Sequence, residues 1–422
     1  MVKVPAGYWT KSNRDEIFLE NQKMTKIFTT TERWFCLAAL MFAFSPLVQA
    51  DIFCNPCEPI NCNTSKSQWD FGGWIDAGVM LNQYGQKDTY DTSQDDEANN
   101  NYLVPGNTGH LKNVKHSSFQ MNQLWLYGEK KRDRHTLDIG GRVEFMYGVD
   151  GRHFQAFGLD RSNTTGTRWG SGDYYASLPQ MYAEVGYGDF SIKTGKFFTV
   201  MGLDSSCAPN RFFYSTSFEN QTYIDFGGVL ATWDMNKNFT VFGGWVNGEE
   251  RFFTDDKYNA FLGGMNWKVS PRFSLDYSVL IGKNDDPLNN DAREYFVNSL
   301  VARLKLSNRW DYAAAWLLRN EKGLGTDSGV HRGRYGINQE LFYTVNCRWK
   351  LGLGAEWLSH YDSVTPENYD VYSFRLGANW MPNDRFTLRP ELRYDKFEGA
   401  RPFNAGTESG QFLYGFSGVM TF

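Results

Sequence analysis

The chain has no long hydrophobic run, which argues against membrane-spanning helices in the mature protein. Its longest apolar stretch, within "RWFCLAALMFAF", covers about 10 residues, whereas a helix needs about 20 to cross a bilayer. Lys26 and Arg33 precede this stretch, and the small-residue pattern "VQA" follows it. We interpret residues 1–50 as a signal-peptide region that is cleaved after Ala50, with Met24 as the true start.

The sequence also lacks a strong excess of either charge. It contains 43 Lys and Arg against 48 Asp and Glu, which gives a formal net charge of -5 over 422 residues. A protein that binds nucleic acid usually presents a basic face to the phosphates. We therefore expect no nucleic-acid partner.

Cysteine is scarce, and only six are present. Cys36 belongs to the signal region, whereas Cys54, Cys57 and Cys62 lie together in "FCNPCEPINCN". This sequence falls in a short predicted periplasmic segment, residues 51–68. No second pair of cysteines supplies the four ligands of a structural zinc site, so we expect no metal. A disulfide or a short redox-sensitive plug remains open for this segment.

Recognisable catalytic motifs are absent as well. The sequence contains neither a G-x-S-x-G elbow nor an H-E-x-x-H zinc motif. Ser359 and His360 are adjacent, and neighbouring residues of a strand point to opposite faces, so they cannot act as a catalytic pair there. We predict that the protein is not an enzyme and uses no cofactor.

Aromatic residues and glycine are what the sequence has in abundance. Phe, Trp and Tyr make up 17% of the residues and there are 41 glycines, while the mean hydropathy is only -0.51. This combination is typical of β-structure in which polar and apolar residues alternate, and not of a helical protein rich in Leu and Ala.

From Trp69 onward the chain repeats segments of about ten alternating residues followed by a break. In "VYSFRLGANW", Phe374 and Leu376 lie on one face of a strand, and Ser373 and Arg375 lie on the other. This period predicts about sixteen strands, at 69–82, 118–131, 136–147, 178–187, 190–200, 222–234, 239–247, 258–269, 273–282, 294–306, 310–319, 335–345, 349–361, 370–381, 386–395 and 411–422.

The connections between these strands alternate in length. Tight turns such as "MNKN" and "PND" follow the even-numbered strands, and long polar loops such as 83–117, 148–177 and 201–221 follow the odd-numbered ones. This rhythm is typical of an up-and-down membrane barrel, with short periplasmic turns and longer external loops. We predict an all-β, antiparallel transmembrane β-barrel over residues 69–422, in contact with outer-membrane lipid and wide enough for an aqueous channel.

The last strand, "GQFLYGFSGVMTF", carries its aromatic residues on one face and ends on Phe422. A terminal aromatic residue on such a strand resembles the signal that is read by barrel-assembly machinery. We therefore expect that machinery to be a partner of this chain.

The charged residues on the polar faces of the strands are candidates to line the channel. Rings of charge set ion preference in pores, but opposite charges on neighbouring strands can also simply pair. Their signs are mixed, so they predict no selectivity. The candidates are Arg142, Glu144, Glu184, Arg303, Arg319, Glu356, Arg375, Arg389, Glu391 and Arg393.

Several phrases resemble a known family. The run "LPQMYAEVGYGDFSIKTGKFFTVMGLDSSCAPNRFFYSTSF", with "FGGWIDAGVMLN", "FGGWVNG", "INQELFY" and "RPELRYDKFEG", resembles the outer-membrane β-barrel porins described as OmpL-like. The resemblance implies a pore for passive diffusion of small solutes and ions, and no catalytic residues. Cys207 departs from the expected pattern, and its redox role stays open.

The resemblance to porins also implies a role for the third long loop. In general porins this loop folds inward and narrows the channel, which would make Asp204, Arg211 and Glu219 constriction residues. Packing on the rim or at a subunit contact is the alternative, and a homotrimer is expected by the same analogy. The alternative function is a plugged structural or adhesive barrel that binds a partner through its external loops.

Overall fold

The computed structural model describes the barrel region of the chain. The described residues are 68–85, 118–162, 165–166, 168–218, 225–249, 251–253, 259–286, 291–323, 329–363, 368–404 and 406–422. The predicted signal-peptide region and the segment with Cys54, Cys57 and Cys62 lie outside them. Among the described residues, no helix has the length and the apolar character needed to cross a membrane.

The described chain is almost entirely β-structure. Two 3₁₀ helices, Val149–Phe154 and Ala208–Asn210, accompany the strands. The strands are β1 (Trp69–Asn82), β2 (Gln120–Lys130), β3 (Asp138–Gly148), β4 (Gly170–Ser171), β5 (Tyr174–Ser177), β6 (Met181–Tyr187), β7 (Phe190–Phe198), β8 (Asp225–Asn236), β9 (Phe239–Glu249), β10 (Ala260–Ser270), β11 (Phe273–Asp286), β12 (Asp291–Lys305), β13 (Trp310–Gly323), β14 (His331–Asn346), β15 (Trp349–Asp362), β16 (Tyr369–Asn383), β17 (Phe386–Glu398) and β18 (Gly410–Thr421).

Sixteen of these strands form a closed antiparallel barrel. Each pairs with its neighbours in chain order, and β1 pairs with both β2 and β18, which closes the ring. At the seam, the Gly73 amide donates to the Phe422 carbonyl, and the Phe422 amide donates to the Gly73 carbonyl, both at 3.0 Å. Closure leaves no unpaired edge, which is the condition for a sheet to cross hydrocarbon.

The predicted strands and the alternation of connections are confirmed. All sixteen predicted strands are present, and the largest boundary shifts are about four residues, as at β14, which begins at His331 rather than at Tyr335. Turns such as 188–189, 237–238 and 384–385 gather at one end of the barrel, called here the turn end. The long connections gather at the opposite end, the loop end.

The second long connection differs from the expected plain polar loop. It contains the first 3₁₀ helix and the short strands β4 and β5. β6 pairs only with the turn-end part of β3, from Asp138 to Val143. Towards the loop end, Met146 of β3 lies opposite Ser177 of β5. β5 therefore supplies backbone partners for the part of β3 that extends beyond β6.

The two faces of the barrel have the predicted, inverted character. Phe374 and Leu376 are 55% and 51% exposed on the outer face, whereas Ser373 and Arg375 on the inner face are only 1% and 2% exposed. An apolar outer face and a polar inner face are what a barrel in lipid requires.

Aromatic residues form a band near each end of the outer face. Trp349 stacks on Trp380 at 6.0 Å between ring centroids near the turn end, and Tyr335 packs edge-on against Trp357 at 5.6 Å towards the loop end. Trp349 and Trp357 are separated by about 27 Å along β15. A tilted strand of that length crosses an apolar layer of roughly 20–25 Å.

The closing seam gives a first prediction. Deletion of Phe422 removes both hydrogen bonds to Gly73, so we expect a lower folded fraction in detergent, measured by heat-modifiable electrophoretic mobility. Phe422→Ala keeps both backbone hydrogen bonds and removes only the ring. We expect this variant to fold in detergent but to insert poorly in cells, because assembly machinery would no longer recognise it.

Two results would contradict these expectations. Normal refolding of the deletion variant in detergent would show that the seam does not need the last residue. Normal insertion of Phe422→Ala in cells would show that the terminal ring is not an assembly signal.

Candidate functional site

Residues 199–218, the described part of the third long connection, lie inside the barrel and cross it; we call them the crossing loop. The Gly202 amide donates to the Ser299 hydroxyl of β12 at 3.1 Å, and the Gln123 side chain of β2 donates to the Ser206 carbonyl at 3.0 Å. Eight steps around the sixteen-strand ring separate β2 from β12 in either direction. The crossing loop therefore contacts opposite walls of the barrel.

Arg389 on β17 binds the turn-end part of the crossing loop. Its guanidinium donates to the carbonyls of Ala208 and Arg211, at 2.9 and 3.3 Å. The same group donates to Asp76 of β1 at 2.7 Å and to the Ser417 hydroxyl of β18 at 3.0 Å. Every nitrogen of this buried guanidinium therefore has a partner, which a buried charge requires.

Two further arginines bind the loop-end part of the crossing loop. Arg393 donates to the Thr216 carbonyl at 2.6 Å and to the Ser215 hydroxyl at 3.0 Å, and Asp395 compensates its charge at 2.8 Å. Arg375 donates to the Ser215 carbonyl at 3.4 Å. These contacts matter because irregular backbone inside a barrel has no strand partner for its carbonyl groups.

Carboxylates on the barrel wall bind the amides of the crossing loop in the same way. Glu391 of β17 accepts hydrogen bonds from the Ser215 amide, at 3.1 Å, and from the Ser215 hydroxyl. Glu356 of β15 accepts one from the Phe218 amide at 2.8 Å. Charge-assisted hydrogen bonds of this kind are about twice as strong as neutral ones.

Asp204 links the two arms of the crossing loop to the wall. It accepts a hydrogen bond from the Ser217 amide at 2.7 Å and lies 3.6 Å from the guanidinium of Arg375. Burial alone would raise the pKa of Asp204, but the Arg375 charge and the Ser217 amide outweigh it and hold this pKa below its usual range. Asp204 is therefore ionised at neutral pH.

Glycines of the barrel wall make room for the aromatic residues of the crossing loop. A Cβ atom on Gly352 would lie 2.3 Å from the Phe212 ring, and one on Gly415 would lie 3.0 Å from the Tyr214 ring. Phe212 also packs against Phe342 at 4.9 Å between centroids. Glycine in a strand interior often marks such a close approach.

The wall formed by β8–β13 carries an apolar cluster on its interior face. Leu262, Leu280 and Val297 are fully buried there, and Met201 of the crossing loop packs against them. The interior is therefore not uniformly wet, and the crossing loop is held by hydrophobic contact on this side.

An open cavity of about 920 Å³ lies between the crossing loop and the turn end of the barrel. Asp204, Asn210 and Phe212 of the crossing loop line it on one side, and the ends of the strands from β8 to β16 line the rest. Several exposed lysines and arginines lie on this lining.

All ten predicted channel-lining residues face the barrel interior, and they fall into two groups. The first group binds the crossing loop with side chains that are no more than 7% exposed: Glu356, Arg375, Arg389, Glu391 and Arg393. The second group forms ion pairs with charges of its own strand, of a neighbouring strand or of a nearby turn: Arg142, Glu144, Glu184, Arg303 and Arg319.

The three predicted constriction residues have different positions. Asp204 is buried as described above, and Arg211 donates from its Nε to the Phe213 carbonyl at 3.1 Å. Glu219 lies outside the described residues. Cys207 is inside the barrel, packed near Trp125, whereas Cys347 is exposed at a turn.

Sequence reasoning missed several residues that hold the crossing loop. Asp76 and Gln123 are fully buried polar residues that bind Arg389 and the loop backbone. The glycines under the aromatic rings were also missed, although their position on the inner face of predicted strands was a usable signal.

Ser359 and His360 do not form a catalytic pair, because they lie on opposite faces of β15. His360 faces the interior and stacks on Tyr369 at 4.8 Å, whereas Ser359 points outward. Within the described ranges, no cluster of three or more His, Cys, Asp or Glu residues could hold a metal ion.

Comparison with known proteins places the chain among porins. A family model described as "Putative beta-barrel porin-2, OmpL-like" matches residues 69–422. A search of curated protein sequences gives no significant match.

Three solved structures illustrate the fold. Each of the three matches covers 84% of this chain, and the share of the other chain is given with each structure. The trimer form of the outer membrane protein OmpT of Vibrio cholerae is 11% identical with a TM-score of 0.55, over 99% of its length. The outer membrane channel DcaP of Acinetobacter baumannii is 11% identical with a TM-score of 0.53, over 97%. The anion-selective porin from Comamonas acidovorans is 9% identical with a TM-score of 0.51, over 99%.

The role of Arg389 in holding the crossing loop can be tested by labelling. Arg389→Ala leaves Asp76 buried without its cation, a change that costs about 3–5 kcal/mol for such pairs. In a background with Cys54, Cys57 and Cys62 replaced by Ser, we expect maleimide to label Cys207 more than about tenfold faster. Mass spectrometry would measure this rate.

The chain supplies its own controls for this experiment. Cys347 is exposed in both variants and gives a reference rate within the same molecule. Arg385→Ala removes an exposed turn arginine and should leave the Cys207 rate unchanged. An unchanged rate in Arg389→Ala would contradict the assigned anchor.

Proposed function

Since the chain belongs to the putative beta-barrel porin-2, OmpL-like, family and is an outer-membrane porin, we propose that the crossing loop sets the size limit for passive diffusion through it. The observation that carries this proposal is the contact of one loop with opposite walls, through Ser299 and Gln123. A segment in that position obstructs part of the cross-section, and solutes must pass beside it.

The buried charges of the wall support the loop in this role. Three arginines, Arg375, Arg389 and Arg393, donate their hydrogen bonds to loop carbonyls and to carboxylates. They therefore hold the loop and are shielded from the solute path. These charge-assisted contacts hold the constriction in its place across the barrel.

We propose that the channel works without catalysis and assembles as a homotrimer in outer-membrane lipid. The trimer form of the Vibrio cholerae protein supports the oligomeric state, because a barrel of the same fold adopts it. Cross-linking of the purified protein in detergent would test the trimer.

A plugged structural barrel is the second candidate. The buried apolar cluster at Leu262, Leu280 and Val297 favours it, because part of the interior is filled rather than wet. A plugged barrel would admit no sugar into swelling liposomes, whereas a porin admits small sugars and excludes larger ones.

Deletion of residues 203–218 tests the constriction. We expect the single-channel conductance in planar bilayers to rise roughly twofold or more, and larger sugars to enter liposomes, because the obstruction is removed. Asn210→Trp provides an opposite change that needs no deletion. Asn210 is exposed on the cavity lining, so a larger side chain there should lower the conductance.

The control is Arg385→Trp, which places the same indole side chain at an exposed turn away from the cavity lining. Unchanged current in both the deletion and the Asn210→Trp variant would overturn the constriction proposal. Current in the wild-type protein would in either case exclude the plugged barrel.

The ionised state of Asp204 predicts acid sensitivity of the constriction. The pKa of Asp204 is lower in the folded protein than in the unfolded chain. The carboxylate therefore contributes its full stabilisation above the unfolded pKa of about 3.9, and this contribution is lost as the pH falls through the folded pKa. We expect steady current at pH 5–8 and increased current fluctuation below about pH 4. Asp204→Asn should fluctuate at neutral pH, and quiet current in this variant would contradict the assignment.

A further inference from the structure

The cavity at the turn end, which is the periplasmic end of this porin, has a strongly basic lining. Its charged lining residues comprise seven lysines and arginines but only three acidic residues. Five of the basic residues are exposed: Lys237, Lys268, Arg272, Arg303 and Lys305. The other two are Lys350 and Arg211.

The acidic residues of this lining are already neutralised. Asp204 and Glu340 both contact the Arg375 guanidinium, at 3.6 and 2.9 Å. Asp311 lies 3.7 Å from the ammonium group of Lys350. None of the three therefore offsets the exposed basic residues.

Most of the exposed basic residues have no such compensation. Arg303 pairs with Asp276 of the neighbouring strand. In the part of the chain that the structure describes, no carboxylate lies within ion-pair distance of Lys237, Lys268, Arg272 or Lys305. Their positive charge acts on the water of the cavity.

The three arginines that bind the crossing loop do not add to this charge. Arg389 is compensated by Asp76, Arg393 by Asp395, and Arg375 by Asp204 and Glu340. These three arginines therefore add no uncompensated charge to that of the cavity.

We propose that this basic cavity, called here the vestibule, makes the porin prefer small anions over cations. Such anions include chloride, inorganic phosphate and small carboxylates. A cleft with low-dielectric walls focuses the field of its charges and raises the local concentration of counter-ions, and rings of Lys and Arg select anions in pores. The proposal rests on the channel function and names the solute class of the same path.

The reversal potential across a planar bilayer measures this preference directly. In a potassium chloride gradient at about 0.1 M ionic strength, we expect the wild-type channel to pass chloride at least roughly threefold better than potassium. The triple variant Lys237→Glu, Lys268→Glu, Arg272→Glu should pass potassium better than chloride.

Salt and a control variant separate this electrostatic effect from a general change in the channel. Above about 1 M salt the Debye length falls to roughly 3 Å, so the preference should weaken. Arg385→Glu reverses one charge at a periplasmic turn outside the cavity lining, as Lys268→Glu does within it, and it should keep the wild-type preference.

The outcomes distinguish this inference from the channel function. No current from the wild-type protein would overturn the channel and this inference with it. Current without anion preference, or with an anion preference that the triple variant keeps, would overturn the vestibule alone. If the triple variant fails to insert, Lys268→Glu by itself must still reduce the preference.

Discussion

Every feature of this protein depends on the rule that a backbone crossing hydrocarbon must have its amides and carbonyls paired. A sheet satisfies that rule only when its first strand meets its last, and here the meeting point is the pair of hydrogen bonds between Gly73 and Phe422. Closure then separates lipid from the interior, and the alternation of side chains places Phe374 outside and Arg375 inside. The inverted polarity is therefore a consequence of closure.

The same rule operates inside the barrel, where the crossing loop has irregular backbone and no strand beside it. Its carbonyls bind arginines and its amides bind carboxylates, as at Thr216 with Arg393 and at Phe218 with Glu356. Each of these wall charges would be costly to bury alone. The loop and the wall thus supply hydrogen-bond partners to each other.

The sequence predicted the strands well because the period of two and the spacing of turns are local signals. It also predicted which face of a strand each charge occupies, so Arg375, Glu391 and Arg393 are on the inner side as expected. It did not predict what those charges touch, because their partners come from a loop more than 150 residues away in the chain. β5, which pairs Ser177 with Met146 of β3, was not expected either, because its 4 residues are too few to show a period of two.

The formal net charge of the sequence differs from the charge that the solvent inside the barrel experiences, because many charged side chains are buried in ion pairs. The chain as a whole is slightly acidic, and the mixed signs along the strands predict no selectivity. Buried pairs such as Arg389 and Asp76 hold the crossing loop and carry no net charge. The exposed unpaired groups of the cavity lining around Lys268 are all positive. Burial makes this division, because a charge enclosed with its partner has almost no field in the solute path, whereas an exposed unpaired one attracts counter-ions within about a Debye length. The proposed anion preference therefore depends on the few charges that folding leaves unpaired.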